Sequence, residues 1–136
     1  MLPAIEPGDW LLVDPSSSRW PRRGSIVVFR EPGGDALAIK RLAAGPGDQV
    51  AFADGFIHLG PDEAWLVSDA DPTATEAAGF GPPRDSRTYG PVPIAGYVAR
   101  AWFRYGPVGR IGRIGRDNRG VRPKPGTPIP PGAPAP

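Results

Sequence analysis

Apolar residues run along this chain in short stretches, each closed by turn-forming residues. WLLVD follows the turn EPGD and predicts a strand at Trp10–Asp14. SIVVFR predicts a second at Ser25–Arg30, between the turn clusters PRRG and EPGG. ALAIKRL predicts a third near Leu37–Leu42, ending in a Pro-Gly-Asp turn. QVAFADGFIHLG reads as a hairpin, with Asp54-Gly55 as its turn. Ala64–Val67 predicts another strand. Ala95–Tyr105 alternates, with Tyr97, Ala99, Ala101, Phe103 and Tyr105 on one side and Arg100 and Arg104 on the other. DPTATEAAG is the one helix candidate, with Asp71 as N-cap, Pro72 at the first helical position and Gly79 as terminator. Strands recurring every 8 to 15 residues with at most one short helix predict a mainly β fold, a small sandwich or coiled barrel.

Composition strengthens that reading and narrows the chemistry. Nineteen glycines and 20 prolines among 136 residues work against long helices. The length suits one domain with one modest core. With no cysteine there is no disulfide and no thiolate ligand or nucleophile, and His58 alone cannot make a histidine-rich metal site. No metal or cofactor is implied. No apolar run approaches the ~18 to 20 residues of a membrane helix, and no signal-peptide pattern opens the chain.

Charge divides the chain. Residues 1–109 carry a net charge of −3 and residues 110–136 a net charge of +5. The first stretch is read as the β domain. The second is a basic Pro/Gly-rich tail, expected to be disordered beyond about Ile114 because it has too little apolar surface to offset its ordering entropy. Its arginines, at 110, 113, 116, 119 and 122, would share one face of a polyproline-like chain. Two readings stay open: attraction to anionic lipid or nucleic acid, or a solvated tail with no dedicated partner.

Only two of the 16 basic residues are lysines, Lys40 and Lys124, and Lys124 lies in the tail. Lysine can lose its proton when desolvated, which arginine cannot. A neutral amine in an apolar strand can deprotonate a serine hydroxyl. The alternative is a lysine that snorkels from a strand edge.

Four stretches, in order, carry a resemblance: MLPAIEPGDWLLV, RRGSIVVFREP, IKRLAAGPGDQV, and VSDA with DSRTYGPVPIAGYVARAWFRY. Together they resemble the catalytic core of the type I signal peptidase family, serine peptidases with a Ser/Lys dyad and a LexA-like core, from Met1 to about Pro107. The resemblance implies hydrolysis of a protein precursor, exported or maturing, bound as an extended strand along a sheet edge. It makes Lys40 the general base. It pairs Arg41 with Asp69, places Asp85, Ser86 and Arg87 in the wall near the dyad, and sets Met1 and Pro3 beside the substrate cleft.

The departures are specific. The family's nucleophilic serine immediately precedes this methionine, so the resemblance places the nucleophile ahead of Met1, outside the given chain. The family's Gly-Asp-Asn reads Ser68-Asp69-Ala70 here, and a serine often found two residues before Asp85 is Pro83. Two explanations compete: a natural start upstream, with the serine and an anchoring helix, or a catalytically inactive peptide-binding module. The expected location follows the same fork, membrane-associated with an anchor and soluble in the cytoplasm without one; a membrane surface is a candidate partner. Ser16, Ser17, Ser18, Ser25, Ser68 and Ser86 are the substitute nucleophiles, and His58 the candidate for a triad. A nucleic-acid-binding barrel is the reading from another class, disfavoured by the negative body and by aromatics not interleaved with basic residues.

Overall fold

The fold is described by a computed structural model over residues 5–70, 72–79 and 81–114. Three Pro-Gly turns organise it. In Glu6–Asp9, Glu31–Gly34 and Gly45–Asp48 the fourth residue's N–H donates to the first residue's carbonyl, at 3.1, 3.3 and 3.1 Å. Proline presets the second position and glycine takes a positive φ at the third (+90° at Gly8, +83° at Gly33, +82° at Gly47). In the first and third of these turns the aspartate also accepts the N–H of the first residue, at 2.9 Å (Asp9) and 2.8 Å (Asp48).

The strands between turns are β1 (Trp10–Asp14), β2 (Ile26–Arg30), β3 (Leu37–Ala44), β4 (Gln49–Phe52), β5 (Gly55–His58), β6 (Glu63–Val67), β7 (Val92–Pro93), β8 (Tyr97–Gly106) and β9 (Gly112–Arg113). The helices are α1 (Pro72–Ala77) and α2 (Ser86–Tyr89). The main sheet runs β1-β8-β2-β3-β6-β7 with β9 added to β8, and β4-β5 forms a separate hairpin. All pairings are antiparallel. The fold is mainly β. Among the described residues no helix is long and apolar enough to cross a membrane.

Apolar clusters form on both faces of the sheet. Val27, Phe29, Leu42, Ala64, Leu66 and Val92 make one, covered by Trp20, Ala38, Tyr89 and Tyr97. Ala43, Ala44, Leu59 and Trp65 make the other, covered from the hairpin by Val50, Phe52 and Ile57. Each fully buried Val, Leu or Phe contributes about 1.5–3 kcal/mol. A register shift between Leu42 and Ala44 lets the consecutive residues Ala43 and Ala44 of β3 serve the same cluster, opposite the one that holds Leu42.

The structure departs from the sequence pattern in three places. The hairpin turn is Ala53-Asp54 rather than Asp54-Gly55, because Phe52 pairs with Gly55 and Ala53 takes φ +51°. The register is fixed at the hairpin's base, where buried Leu59 donates to the Asp48 carbonyl and accepts from Gly47 N–H. In β8 the alternation holds through Ala101 and then breaks, since two register shifts against β1 leave Trp102 and Tyr105 as extra residues. Tyr105 is accordingly exposed and packs on Trp10, ring centroids 5.6 Å apart. Finally, α2 is a second short helix, nucleated by its N-cap Asp85, whose carboxylate accepts Arg87 N–H.

Residues 110–114 pack on the domain: Arg110 reaches Asp9, and β9 pairs with β8. The N-cap Asp71 and residues 115–136, where the tail was expected to be disordered, lie outside the described residues.

Candidate active site

Lys40 stands opposite Val27 of β2, between Ala38 and Leu42 on the same face of β3. That face carries the Val27–Leu42 cluster, so the lysine stem lies over apolar side chains. Desolvation lowers the pKa of its ammonium, against the raising influence of Asp85 and Glu31 and with a further lowering from Arg87. Among the described residues its Nζ has no hydrogen bond and no ion pair. A half-buried, unpartnered amine with a lowered pKa is neutral over more of the pH range than a solvated lysine, and so better placed to act as a base.

Arg41, next in sequence, points to the opposite face and is 2% exposed. Its Nε and Nη2 donate to the two carboxylate oxygens of Asp69, at 2.8 and 2.6 Å, and its Nη1 donates to the Gly24 carbonyl at 2.7 Å. This two-pronged pair ties β3 to the chain leaving β6 and to the turn entering β2. The backbone that carries Lys40 is thereby fixed from behind.

Asp85 and Ser86 complete the outer edge of β6. That edge pairs with β7 only at Glu63 and Ala64. Beyond it, Leu66 N–H donates to Ser86 Oγ at 2.8 Å and Ser68 N–H donates to Asp85 Oδ2 at 2.9 Å. Two side chains thus take the place of a strand. Burial pushes the Asp85 carboxyl up, but hydrogen bonds from the Arg87 guanidinium, Ser68 N–H and Arg87 N–H outweigh it and hold the group below its ordinary value. Arg87 Nη2 closes that contact at 2.6 Å.

Two further groups share the lysine's surroundings, and the sequence reading did not single them out. Tyr89 packs against the same cluster, and its hydroxyl is buried without a partner. Burial drives the phenol pKa well above its usual range, and Glu31 and Asp85 add to the effect. The same two carboxylates act on Lys40. Tyr89's signal is its place four residues after the helix cap Asp85, which turns it back onto the core. Glu31 has no signal beyond opening a turn.

The remaining candidates sit elsewhere. None of the described serines hydrogen-bonds Lys40. Ser16, Ser17 and Ser18 lie exposed in the loop after β1, and Ser86 is fully buried, its Oγ serving the β6 edge. His58 is exposed at the end of β5, beside Gln49. Met1 and Pro3 lie outside the described residues. Among the described residues no group of His, Asp and Glu side chains is arranged to hold a metal ion.

The β3 strand has one further property. β2 pairs with Leu37–Arg41 along one edge, whereas β6 takes up the other edge only from Arg41 onward. From Leu37 to Lys40 the second edge carries no strand among the described residues. An extended peptide added there would run directly past Lys40.

No curated protein matches the chain. The family model described as "Signal peptidase, peptidase S26" matches residues 1–63, the stretch that holds β1 to β5 and Lys40. That match supports the signal peptidase family and, with it, a peptidase kind of activity for this chain.

Proposed function

We propose that the chain is a serine endopeptidase of the signal-peptidase type and that Lys40 is its general base. The observation that carries this reading is the Lys40 amine: half-buried, unpartnered and depressed in pKa, at the end of an open strand edge inside the matched stretch. The substrate is a protein precursor, exported or maturing, laid as an extended strand along Leu37–Lys40. The nucleophile is a serine in the place that the family resemblance assigns to it, immediately before Met1.

In this mechanism neutral Lys40 accepts the serine proton as the hydroxyl oxygen attacks the scissile carbonyl. The resulting ammonium returns that proton to the leaving amine as the C–N bond breaks, leaving an ester on the serine. Lys40 then deprotonates a water that attacks the ester, and the serine regains its proton as the acid product leaves. Arg41–Asp69 acts from the opposite face of β3 as a positioning pair, and Asp85–Arg87 finishes the β6 edge while its charges act on the Lys40 amine.

The test is peptide cleavage by the chain extended upstream with serine before Met1, beside the same extension with alanine. Cleavage by the serine form, lost in Lys40→Ala and not recovered in Lys40→Arg, supports the mechanism. Cleavage by the alanine form that survives Lys40→Ala overturns it. Peptide binding by the serine form without cleavage favours the second reading, an inactive peptide-binding module, which the open β3 edge also fits.

A further inference from the structure

The most unusual cluster outside the Lys40 region lies on the far side of β2. Along one edge of β8, β2 pairs as far as Ile26–Ala101, and β9 begins at Phe103–Arg113. Between them the sheet has a notch, a cavity of about 290 Å³. Ser25, Arg100, Trp102 and Arg113 contribute to its wall, and no acidic residue does.

Three donor-bearing side chains line it without a hydrogen-bond acceptor of their own. Ser25 is 4% exposed, and its Oγ is buried with no hydrogen-bond partner. A buried hydroxyl in that state is costly unless something fills the site. Arg100 and Arg113 have no hydrogen bond and no ion pair among the described residues. Four other arginines are ion-paired: Arg41 with Asp69, Arg87 with Asp85, and Arg104 and Arg110 with Asp9. Asp14 lies opposite Arg100 in β1 and feels its charge, but its carboxylate hydrogen-bonds Ser16 N–H at 2.9 Å and makes no ion pair with the guanidinium. Arg22 and Arg23 immediately precede the notch and add positive field.

We propose that this notch binds a phosphate group. Two guanidinium forks, from β8 and β9, and a hydroxyl from the turn entering β2 suit a tetrahedral oxyanion with three or more acceptor oxygens better than a planar carboxylate with two. The site is separated from Lys40 by the width of β2 and does not depend on the peptidase reading. It also gives Arg113, part of the three-residue arginine series, a role that peptide cleavage does not supply.

The test uses the full chain, titrated with inorganic phosphate against sodium chloride at matched ionic strength, with melting temperature and tryptophan fluorescence as readouts. A second arm uses vesicles of phosphatidylcholine with and without phosphatidylglycerol. A saturable response to inorganic phosphate assigns a soluble phosphate. A response only to phosphatidylglycerol vesicles assigns a lipid headgroup. In either case Arg113→Gln, an exposed position that should not disturb folding, weakens binding about tenfold, and Arg100→Gln does likewise. Equal responses to phosphate and chloride with no vesicle binding overturn the proposal. So does undiminished binding by Arg113→Gln.

Discussion

A charged ammonium at position 40 has to sit over Val27 with Ala38 and Leu42 on either side, and no partner is provided for it. Such a residue works against the stability of the fold that holds it. Lys40→Met keeps the stem and removes the charge, so it is expected to raise the melting temperature at pH 7 while eliminating peptidase activity; a lowered melting temperature would mean that the amine is a structural group. Tyr89→Phe removes a buried hydroxyl that has no partner. It should leave stability unchanged or improved. A shift in the pH profile of cleavage would show that the hydroxyl meets Lys40 during the reaction. The sequence made Lys40 visible because it is the only lysine before the tail. It did not reveal Tyr89, whose aromatic ring reads as core and whose hydroxyl matters only once its burial is known.

Among the elements, β3 and β6 carry the site, and the contacts that finish them are side chains. Arg41→Met leaves Asp69 without its guanidinium and frees the Gly24 carbonyl, and should cost about 3–5 kcal/mol in denaturant unfolding. Ser86→Ala leaves Leu66 N–H unsatisfied at a buried edge, at a cost of about 1–3 kcal/mol. A smaller loss at either position would place these side chains outside the framework. In the hairpin, Ala53 holds a φ of +51° that glycine adopts more readily. Ala53→Gly should therefore hold or raise stability, and a clear loss would refute the turn placement. The strands themselves were legible: β1 has the bounds that the pattern predicts, and β2 differs by one residue. The turn of β4-β5 was not, because an Asp-Gly pair is a strong local signal and the register is decided remotely, by Leu59 at the base. Nor was the end of β8, where bulges against β1 break the period of two.

At the scale of the molecule, charge couples the site to pH. Asp9 is held below its ordinary pKa, chiefly by its hydrogen bond from Arg110, and Asp85 by its contacts with Arg87 and Ser68. A depressed carboxylate stabilises the fold fully above its unfolded pKa, about 4. That contribution is lost as pH falls through the folded value, so stability should drop below pH 4. Asp85→Asn should flatten the drop, as read from melting temperature against pH. Lys40 acts at the other end. Its folded pKa lies below the unfolded value, so the folded state binds fewer protons and stability rises with pH between the two. The resemblance carried by the ordered motifs named Lys40, Asp85 and Arg87 as neighbours. What it left out is the packing of β9 and Arg110 against Asp9, since an arginine-rich stretch reads as solvated until a buried carboxylate is seen to receive it.

The central claim, that Lys40 is neutral enough to serve as a base, can be measured directly. The chain contains two lysines, so lysine-selective carbon labelling gives two side-chain signals, and Lys40→Met assigns that of Lys40. Followed by NMR from pH 6 to 12, Lys40 is predicted to titrate below the ordinary lysine value of about 10.4. Titration of Lys40 at that value would contradict the account, because Lys40 would then be an ordinary surface lysine and no base for a serine.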